Sequence, residues 1–263
     1  MRTVLITGGS GGLGLELSKL FARDGYRLLW IAKTEAELQE GKRALLGTFP
    51  QAEIHSLALD LCQPAAADIV FDWTQSKGYT PEVLVNNAGF GAYGFFQKLG
   101  GAHQQAMIQL NVQALVALTH RYLPTMLARN EGQIVNISSN TSLQPVPKMS
   151  AYAATKAFVK HFSESLHEEL KQQKSKVRVT VVCPAAIKNT AFQQLANMEG
   201  VRTFKGLLTT SPQEVALDAY RGWKKGRKIV LSGARLRYTH WLTRWLPSVW
   251  VQALLRRELE RDV

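Results

Sequence analysis

The chain has 263 residues, of which 46% are hydrophobic and 20% are charged, a composition typical of a folded globular protein. This composition excludes a fibrous or low-complexity protein and argues against intrinsic disorder. The two cysteines, Cys62 and Cys183, lie far apart, and the six histidines form no recognisable ligand set, so we expect no disulfide scaffold and no metal. No export signal and no run of about 18 apolar residues is visible, which predicts a cytoplasmic protein.

The formal net charge is +12, and the excess of basic residues is concentrated near the carboxyl end. From Arg221 onward there are 11 Lys and Arg against three carboxylates, which accounts for +8 of the net charge. Such an excess attracts an anionic membrane surface, an acidic partner or nucleic acid. Because no nucleic-acid-binding motif accompanies it, we expect no nucleic-acid partner.

Short β-branched apolar runs alternate with longer segments of helical periodicity, a pattern typical of βαβ units in a parallel sheet. Seven strands are predicted near 3–7, 27–32, 54–60, 83–88, 133–139, 178–184 and 228–232. Helices are predicted to begin near Gly12, Thr34, Pro64, His103, Ala151 and Pro212. The predicted fold class is therefore α/β, a Rossmann-like, doubly wound, seven-stranded parallel sheet with helices on both faces. We expect a single domain over 1–235 and a basic amphipathic extension over 236–263.

The stretch 186–211, rich in large apolar residues, follows the sixth predicted strand. Ligands of doubly wound sheets bind outside the carboxyl ends of the strands, and this stretch leaves such an end. We therefore predict that 186–211, called the lid segment below, covers a substrate.

A glycine-rich loop follows the first predicted strand and reads Thr7-Gly8-Gly9-Ser10-Gly11-Gly12-Leu13-Gly14. Glycines let the backbone turn tightly and approach a pyrophosphate, and the N-terminus of the next helix offers free N–H groups. The position of the loop predicts dinucleotide binding, and a purely structural turn is the alternative.

Lys33 ends the second predicted strand, 19 residues after Gly14, and no carboxylate occupies that strand end. In dinucleotide-binding folds a carboxylate near this position binds the ribose 2′-hydroxyl, whereas a basic residue favours the 2′-phosphate. The sequence thus predicts NADP(H) in preference to NAD(H). The alternative is that Lys33 is only a solvated residue at a strand end.

Tyr152 and Lys156 are four residues apart on a predicted helix, so their side chains lie on one face. A nearby ammonium group lowers the pKa of a phenol, which would make Tyr152 an acid and base near neutral pH. The pair by itself is common in helices. It indicates a catalytic pair only together with the other motifs of the chain.

Taken together, these motifs resemble the short-chain dehydrogenase/reductase family. They occur in family order over about the first 190 residues: Thr7-Gly8-x-x-x-Gly12-x-Gly14, Asp60, Asn86-Asn87-Ala88-Gly89, Asn111, Ser139 and Tyr152-x-x-x-Lys156. The resemblance implies that Tyr152 exchanges a proton with the substrate oxygen and that Lys156 tunes the phenol and holds the nicotinamide ribose. Ser139, which lies 13 positions before Tyr152, would hydrogen-bond the reacting oxygen. Asn111 would hold a water in the proton relay.

The resemblance also implies a cofactor site. Asp60 would contact the adenine ring with Leu61 beside it, while Asn86 either stabilises the central sheet or contacts the cofactor. The full predicted set is Gly8, Ser10, Gly11, Gly12, Leu13, Gly14, Lys33, Asp60, Leu61, Asn87, Ala88, Gly89, Tyr152, Lys156, Pro184, Ala185, Ile187 and Thr190. No role is assigned to three further polar residues, which are expected to be solvated or capping: Asn136, Ser138 and Asn140.

The sequence departs from the family pattern after the sixth strand, where Ala185 replaces the usual glycine of a Pro-Gly pair. If this position needs a positive φ, alanine would cost about 1 kcal/mol and displace the loop. Asn189 falls where the family has a threonine, with Thr190 next to it, and either residue is a candidate contact to the nicotinamide amide.

Large apolar residues recur at helical spacing between Trp241 and Leu254, beside several arginines. This pattern is typical of a helix that packs on its own domain, caps the substrate pocket or joins two subunits. Peripheral contact with a membrane is the main alternative, because Trp and Arg on one amphipathic helix suit a lipid interface.

The sequence therefore predicts an NADP(H)-dependent oxidoreductase that interconverts a carbonyl and a secondary alcohol, on a hydrophobic or lipid-like substrate. A 3-oxoacyl-thioester reductase is the alternative within this class. A cofactor-sensing or membrane-associated binding protein with little turnover is the alternative of another class, supported only by Ala185. A homodimer or homotetramer is expected.

Overall fold

The computed structural model describes residues 1–188, 191–196, 198, 201, 209–243, 245 and 250. Thr190 and Asn189 lie outside the described residues, as does most of the chain beyond 243. The strands are β1 Thr3–Thr7, β2 Arg27–Ala32, β3 Ile54–Ala58, β4 Val83–Asn86, β5 Gln133–Ile137, β6 Arg178–Pro184, β7 Ala186–Ile187, β8 Thr209–Thr210 and β9 Ile229–Ser232.

The main sheet has seven strands in the order β3-β2-β1-β4-β5-β6-β9, and every neighbouring pair is parallel. The strand order reverses between β1 and β4, the place where doubly wound sheets bind ligands. The predicted fold class is confirmed. Three strands end two residues earlier than predicted, and the displaced residues, among them Asp60, Ala88 and Ser139, form loops at the carboxyl edge of the sheet.

The helices are α1 Gly12–Arg23, α2 Glu35–Leu46, α3 Ala66–Ser76, α4 Gly101–Ile108, α5 Leu115–Arg129, α6 Ser150–Gln172, α7 Ala191–Leu195, α8 Pro212–Lys224 and α9 Ala234–Thr243. A π-helical stretch, Gln109–Ala114, joins α4 to α5, and short 3₁₀ turns span Phe96–Lys98 and Asn140–Leu143. Two helix starts have a capping box, in which Thr34 pairs with Glu37 and Ser211 pairs with Glu214. These caps satisfy N–H groups that the first turn leaves free.

The core lies on both faces of the sheet, as expected for parallel strands covered by helices. Alternate residues of β2 point to opposite faces, so Leu28 and Trp30 pack in one cluster and Leu29 and Ile31 in the other. All four side chains are fully buried. No helix among the described residues is long and apolar enough to span a bilayer.

Candidate active site

The glycine loop has the geometry of an anion-binding site. Gly8 and Gly12 have φ values of +65° and +50°, a region that favours glycine, and a Cβ on Gly14 would lie 1.9 Å from the Gly8 carbonyl oxygen. Gly11 precedes α1, whose start has no side-chain cap and no acidic residue in its first turn. A Cβ on Gly11 or Gly12 would meet no atom within 4 Å. The free N–H groups and open space therefore fit a pyrophosphate.

The end of β4 is tied to this loop by hydrogen bonds. Asn87 Nδ2 donates to the carbonyl oxygens of Thr7 and Gly8 at 2.9 and 3.1 Å. Thr7 Oγ1 accepts from the backbone N–H groups of Asn87 and Ala88, each at 3.0 Å. These bonds hold the two loops together where the strand order reverses. Thr7 had no predicted role, although it adjoins Gly8 in the motif.

Lys33 and Asp60, predicted to contact separate parts of the cofactor, lie against each other. Lys33 Nζ is 2.9 Å from Asp60 Oδ2, and the Lys33 side chain is 69% exposed. The pKa of Asp60 is lowered, first by the backbone N–H of Cys62 and next by Lys33. Leu61 beside it is buried in the core. Lys33 and Asp60 thus form an exposed ion pair at the carboxyl edge of the sheet, just after β2 and β3.

Tyr152 and Lys156 lie in the first two turns of α6, and both side chains are buried. Ser139 follows β5, and its hydroxyl lies near enough to the Tyr152 phenol to lower the pKa of that phenol. Lys156 Nζ donates to the carbonyl oxygen of Ile137 at 2.9 Å and lies 5.8 Å from the centre of the Tyr152 ring. The structure thus brings Ser139, Tyr152 and Lys156 together at the end of β5.

The pKa of Tyr152 moves in the direction opposite to the one expected. Burial raises the pKa of Tyr152 to about 12, and the nearby Ser139 hydroxyl only partly opposes this. Burial also lowers the pKa of Lys156 to about 8. The expectation that the ammonium would lower the phenol pKa was wrong here because burial dominates. Tyr152 is therefore a neutral phenol at pH 7, which can donate a proton.

Asn111 lies inside the π-helical stretch, where its side chain is buried. Its Nδ2 donates to the Phe90 carbonyl oxygen at 2.9 Å and to Thr155 Oγ1 at 3.1 Å, and its Oδ1 accepts from the Phe90 N–H at 3.2 Å. π-Helical turns often occur at functional sites because they redirect side chains. Asn111 thereby joins the loop after β4 to α6. A Cβ on Gly89, in that loop, would lie 2.8 Å from Asn111 Oδ1 and 3.4 Å from Lys156 Nζ.

Two polar residues that had no assigned role are buried and bonded, so the expectation that they are solvated or capping was wrong. Ser138 Oγ donates to the Lys156 carbonyl oxygen at 2.7 Å. Asn136 accepts from Asn86 Nδ2 at 2.9 Å and donates to Ser163 Oγ at 2.9 Å. Asn86 is thus bonded within the central sheet, which supports its structural role. Asn140 accepts a hydrogen bond from Ser139 Oγ at 3.1 Å.

Ala185 does not have a positive φ, so its alanine side chain causes no left-handed strain. Its N–H donates to the Ser232 carbonyl oxygen at 3.3 Å, which ties the loop after β6 to the end of β9. Pro184 is buried at the end of β6, and Ile187 lies in β7, half-buried. Ala185 in place of glycine, the only feature that favoured a binding protein without turnover, therefore causes no backbone strain.

An apolar cluster surrounds Tyr152. The Phe192 ring of the lid segment lies 5.3 Å from the Tyr152 ring, and Met149, Met198 and Val201 are buried in the same cluster. The lid segment is tied down by a hydrogen bond from the Tyr93 N–H to the Ala196 carbonyl oxygen at 3.1 Å. A Cβ on Gly91 would lie 2.6 Å from Phe192 Cζ, so this glycine leaves room for the ring.

The model of the short chain dehydrogenase family matches residues 2–200. The chain belongs to the short-chain dehydrogenase/reductase family. It is 30% identical to the uncharacterized oxidoreductase DltE of Bacillus subtilis, a match that covers 86% of both chains. It is also 29% identical to the NADP-dependent 3-hydroxy acid dehydrogenase YdfG of Escherichia coli, over 81% of this chain and 85% of that one.

Solved structures agree with this assignment. A short-chain dehydrogenase from Sphingobium yanoikuyae in complex with NADPH has a TM-score of 0.80 and 27% identity, and the match covers 100% of this chain and 98% of that chain. A 7β-hydroxysteroid dehydrogenase shares the fold with a TM-score of 0.83 at 22% identity, over 97% and 96% of the two chains. The protein is thus an oxidoreductase of the family that acts on CH–OH and C=O groups with NAD(P)(H).

Proposed function

We propose that this short-chain dehydrogenase/reductase uses NADP(H) to interconvert a hydrophobic carbonyl compound and its secondary alcohol, with Ser139, Tyr152 and Lys156 as the reacting set. The observation that carries the proposal is the buried Tyr152 phenol. It lies near the Ser139 hydroxyl and the Lys156 ammonium and is surrounded by apolar side chains. A phenol held beside a hydroxyl and an ammonium group can transfer a proton to a substrate oxygen.

A bound nicotinamide cofactor supplies the hydride for reduction, or accepts it in oxidation. When the carbonyl carbon gains a hydride, negative charge develops on its oxygen. The Ser139 hydroxyl stabilises this charge by a hydrogen bond, and Tyr152 transfers its phenolic proton to the oxygen, which yields the alcohol. In the oxidative direction the Tyr152 tyrosinate receives the proton from the alcohol instead.

Lys156 and Asn111 support this proton transfer. The Lys156 ammonium stabilises the tyrosinate left after the proton is given up, and it is the candidate partner of the nicotinamide ribose. Gly89 leaves the space beside Lys156 Nζ open. Asn111 fixes the loop that carries Gly89 by its bonds to Phe90.

The preference for NADP(H) is proposed from Lys33, which is exposed at the carboxyl end of β2 with its ammonium beside Asp60. An NADPH-bound relative at 27% identity supports the same choice. Removing the charge with Lys33→Ala should weaken NADPH binding by about tenfold or more and NADH binding by about twofold at most. Equal losses for the two cofactors, measured by nucleotide fluorescence titration, would refute the role of Lys33.

The hydrophobic substrate is proposed from the cluster of Phe192, Met149, Met198 and Val201 around Tyr152. The test is NADPH oxidation with matched pairs of ketones that differ in apolar bulk, together with a polar keto acid of similar size. We expect the highest kcat/KM for a bulky apolar ketone. A clear preference for the polar keto acid would overturn this assignment of substrate class.

A second candidate, reduction of 3-oxoacyl thioesters, is favoured by the basic residues near the site and by one relative. The very-long-chain 3-oxoacyl-CoA reductase of Rattus norvegicus is 32% identical over 64% of this chain. The two candidates differ in their need for the carrier. If kcat/KM for a 3-oxoacyl-CoA exceeds that for the matching free ketone by about a hundredfold, the thioester is the substrate.

A further inference from the structure

Most exposed aromatic side chains of the described chain lie in two segments. Phe95 and Phe96, in the loop after β4, are 56% and 62% exposed, while Tyr238 and Trp241, on α9, are 64% and 63% exposed. Trp245 and Trp250, beyond α9, are exposed as well. Outside these two segments, Phe158 on α6, which is 44% exposed, is the remaining exposed aromatic residue of the described chain.

The two segments leave the same edge of the sheet. All seven strands are parallel, so the ends of β4 and β9 lie at the edge that also carries Ser139 and Ala185. α9 begins two residues after Ser232, the residue whose carbonyl oxygen accepts from the Ala185 N–H. The exposed aromatic residues therefore emerge beside the candidate active site.

The stretches that follow β4, β5, β6 and β9 in the sequence are strongly basic. Residues 87–100, 138–149, 185–211 and 233–257 contain ten Lys and Arg and a single carboxylate, Glu199. Among those that the structure describes, Lys98 and Lys188 are exposed, and Arg237 is half exposed while it pairs with Asp218. The described part of this edge thus combines exposed aromatic rings with the ammonium groups of Lys98 and Lys188.

We propose that this edge, defined by Phe95, Phe96, Tyr238 and Trp241, docks on an anionic lipid bilayer with the active site facing the membrane. Exposed Trp, Tyr and Phe side chains partition into the interfacial region of a bilayer, and Lys and Arg are attracted to anionic headgroups. A second copy of the chain is a poorer occupant because the two basic edges would repel each other. An acidic carrier protein would use the charge but leave the aromatic rings without a partner.

The lipid contact goes beyond the proposed function and does not depend on it, because it is measured by binding alone. The experiment is co-sedimentation of the full chain with vesicles of phosphatidylcholine that contain or lack phosphatidylglycerol. Trp241→Ala and Phe96→Ala are tested singly and together, and Phe158→Ala is the matched aromatic control. We expect binding to the anionic vesicles to weaken by about threefold for each single variant and about tenfold for the double variant, while the control stays within about twofold.

Several results would overturn the proposal. The first is the absence of wild-type binding to anionic vesicles, and the second is a loss of binding in Phe158→Ala equal to that in Trp241→Ala. The third is unchanged binding in Phe96→Ala, which would show that the active-site edge does not contact the membrane. An oligomer that dissociates in Trp241→Ala, seen by light scattering, with unchanged vesicle binding would identify a second copy as the occupant. The double variant should reduce a water-soluble ketone at the wild-type rate, so a failure of the proposed function is detected separately.

Discussion

Lys156 is a buried ionisable residue, and burial lowers its pKa from 10.5 to about 8. Between these pH values the unfolded chain keeps a proton that the folded chain has released. The free energy of unfolding should therefore rise with pH in this window, by up to about 1.4 kcal/mol per pH unit from this group. Lys156→Met should remove that part of the slope in urea-unfolding curves recorded between pH 8 and 10.

The control for this prediction is Lys171→Met on the same helix, at an exposed position. It should leave the slope as in the wild-type chain. If Lys156→Met and the wild-type chain show the same dependence of stability on pH, Lys156 keeps its proton in the folded state and the account of its burial fails.

The Phe192 ring fills the space beside the Tyr152 ring, and the two ring centroids are 5.3 Å apart. Phe192→Ala should raise the ratio of kcat/KM for a bulky ketone to that for a small one by about tenfold, because the aromatic ring no longer fills the site. Phe158→Ala, at an exposed position on α6 where the ring stacks on Phe162, should leave the ratio unchanged. A ratio that stays constant in Phe192→Ala would place the substrate elsewhere.

At the scale of elements, the glycine loop and α1 form one unit because Gly14 lets the helix approach the Gly8 carbonyl. The Cβ of Gly14→Ala would lie 1.9 Å from a backbone oxygen, so the loop must shift. We expect a loss of about 2 to 3 kcal/mol in the free energy of unfolding, together with weaker NADPH binding. Gly100→Ala, whose Cβ would meet no atom within 4 Å, should change neither quantity by much. Similar effects of the two variants would show that the close approach is unimportant.

The strands and most helix starts were predictable because their signals are local. β1, β2 and β6 consist mostly of buried apolar residues, and Pro212 stands at the first position of its helix. The π-helical stretch around Asn111 was not predicted from the sequence. Its signal is the set of bonds to Phe90 and Thr155, which exist only after folding.

The candidate site was predicted residue by residue, but its energetics were not. The motif places Ser139, Tyr152 and Lys156 in order, whereas burial depends on Met149, Phe192 and other residues from distant parts of the chain. For the same reason the raised pKa of Tyr152 could not be read from the neighbouring lysine. The buried chain of bonds through Asn136 depends on three separate elements and has no local signal.

At the scale of the molecule, the basic carboxyl-terminal third is divided between two ends of the sheet. Lys224 and Lys228 pair with Asp24 and Glu168 near the amino edge, whereas α9 begins at the carboxyl edge. Lys225→Glu, exposed after α8, should therefore leave binding to anionic vesicles nearly unchanged, while Lys98→Glu should weaken it by about threefold. Equal losses in co-sedimentation would show that total charge, rather than one edge, determines binding.

The proposed role of Tyr152 is to transfer the proton that completes carbonyl reduction. It is tested most directly by the rate of NADPH oxidation with a hydrophobic ketone in the wild-type chain and in Tyr152→Phe, with NADPH affinity measured in parallel. We expect kcat to fall by about a hundredfold or more while the affinity for NADPH stays within about twofold. A Tyr152→Phe variant that turns over at the wild-type rate would contradict the account.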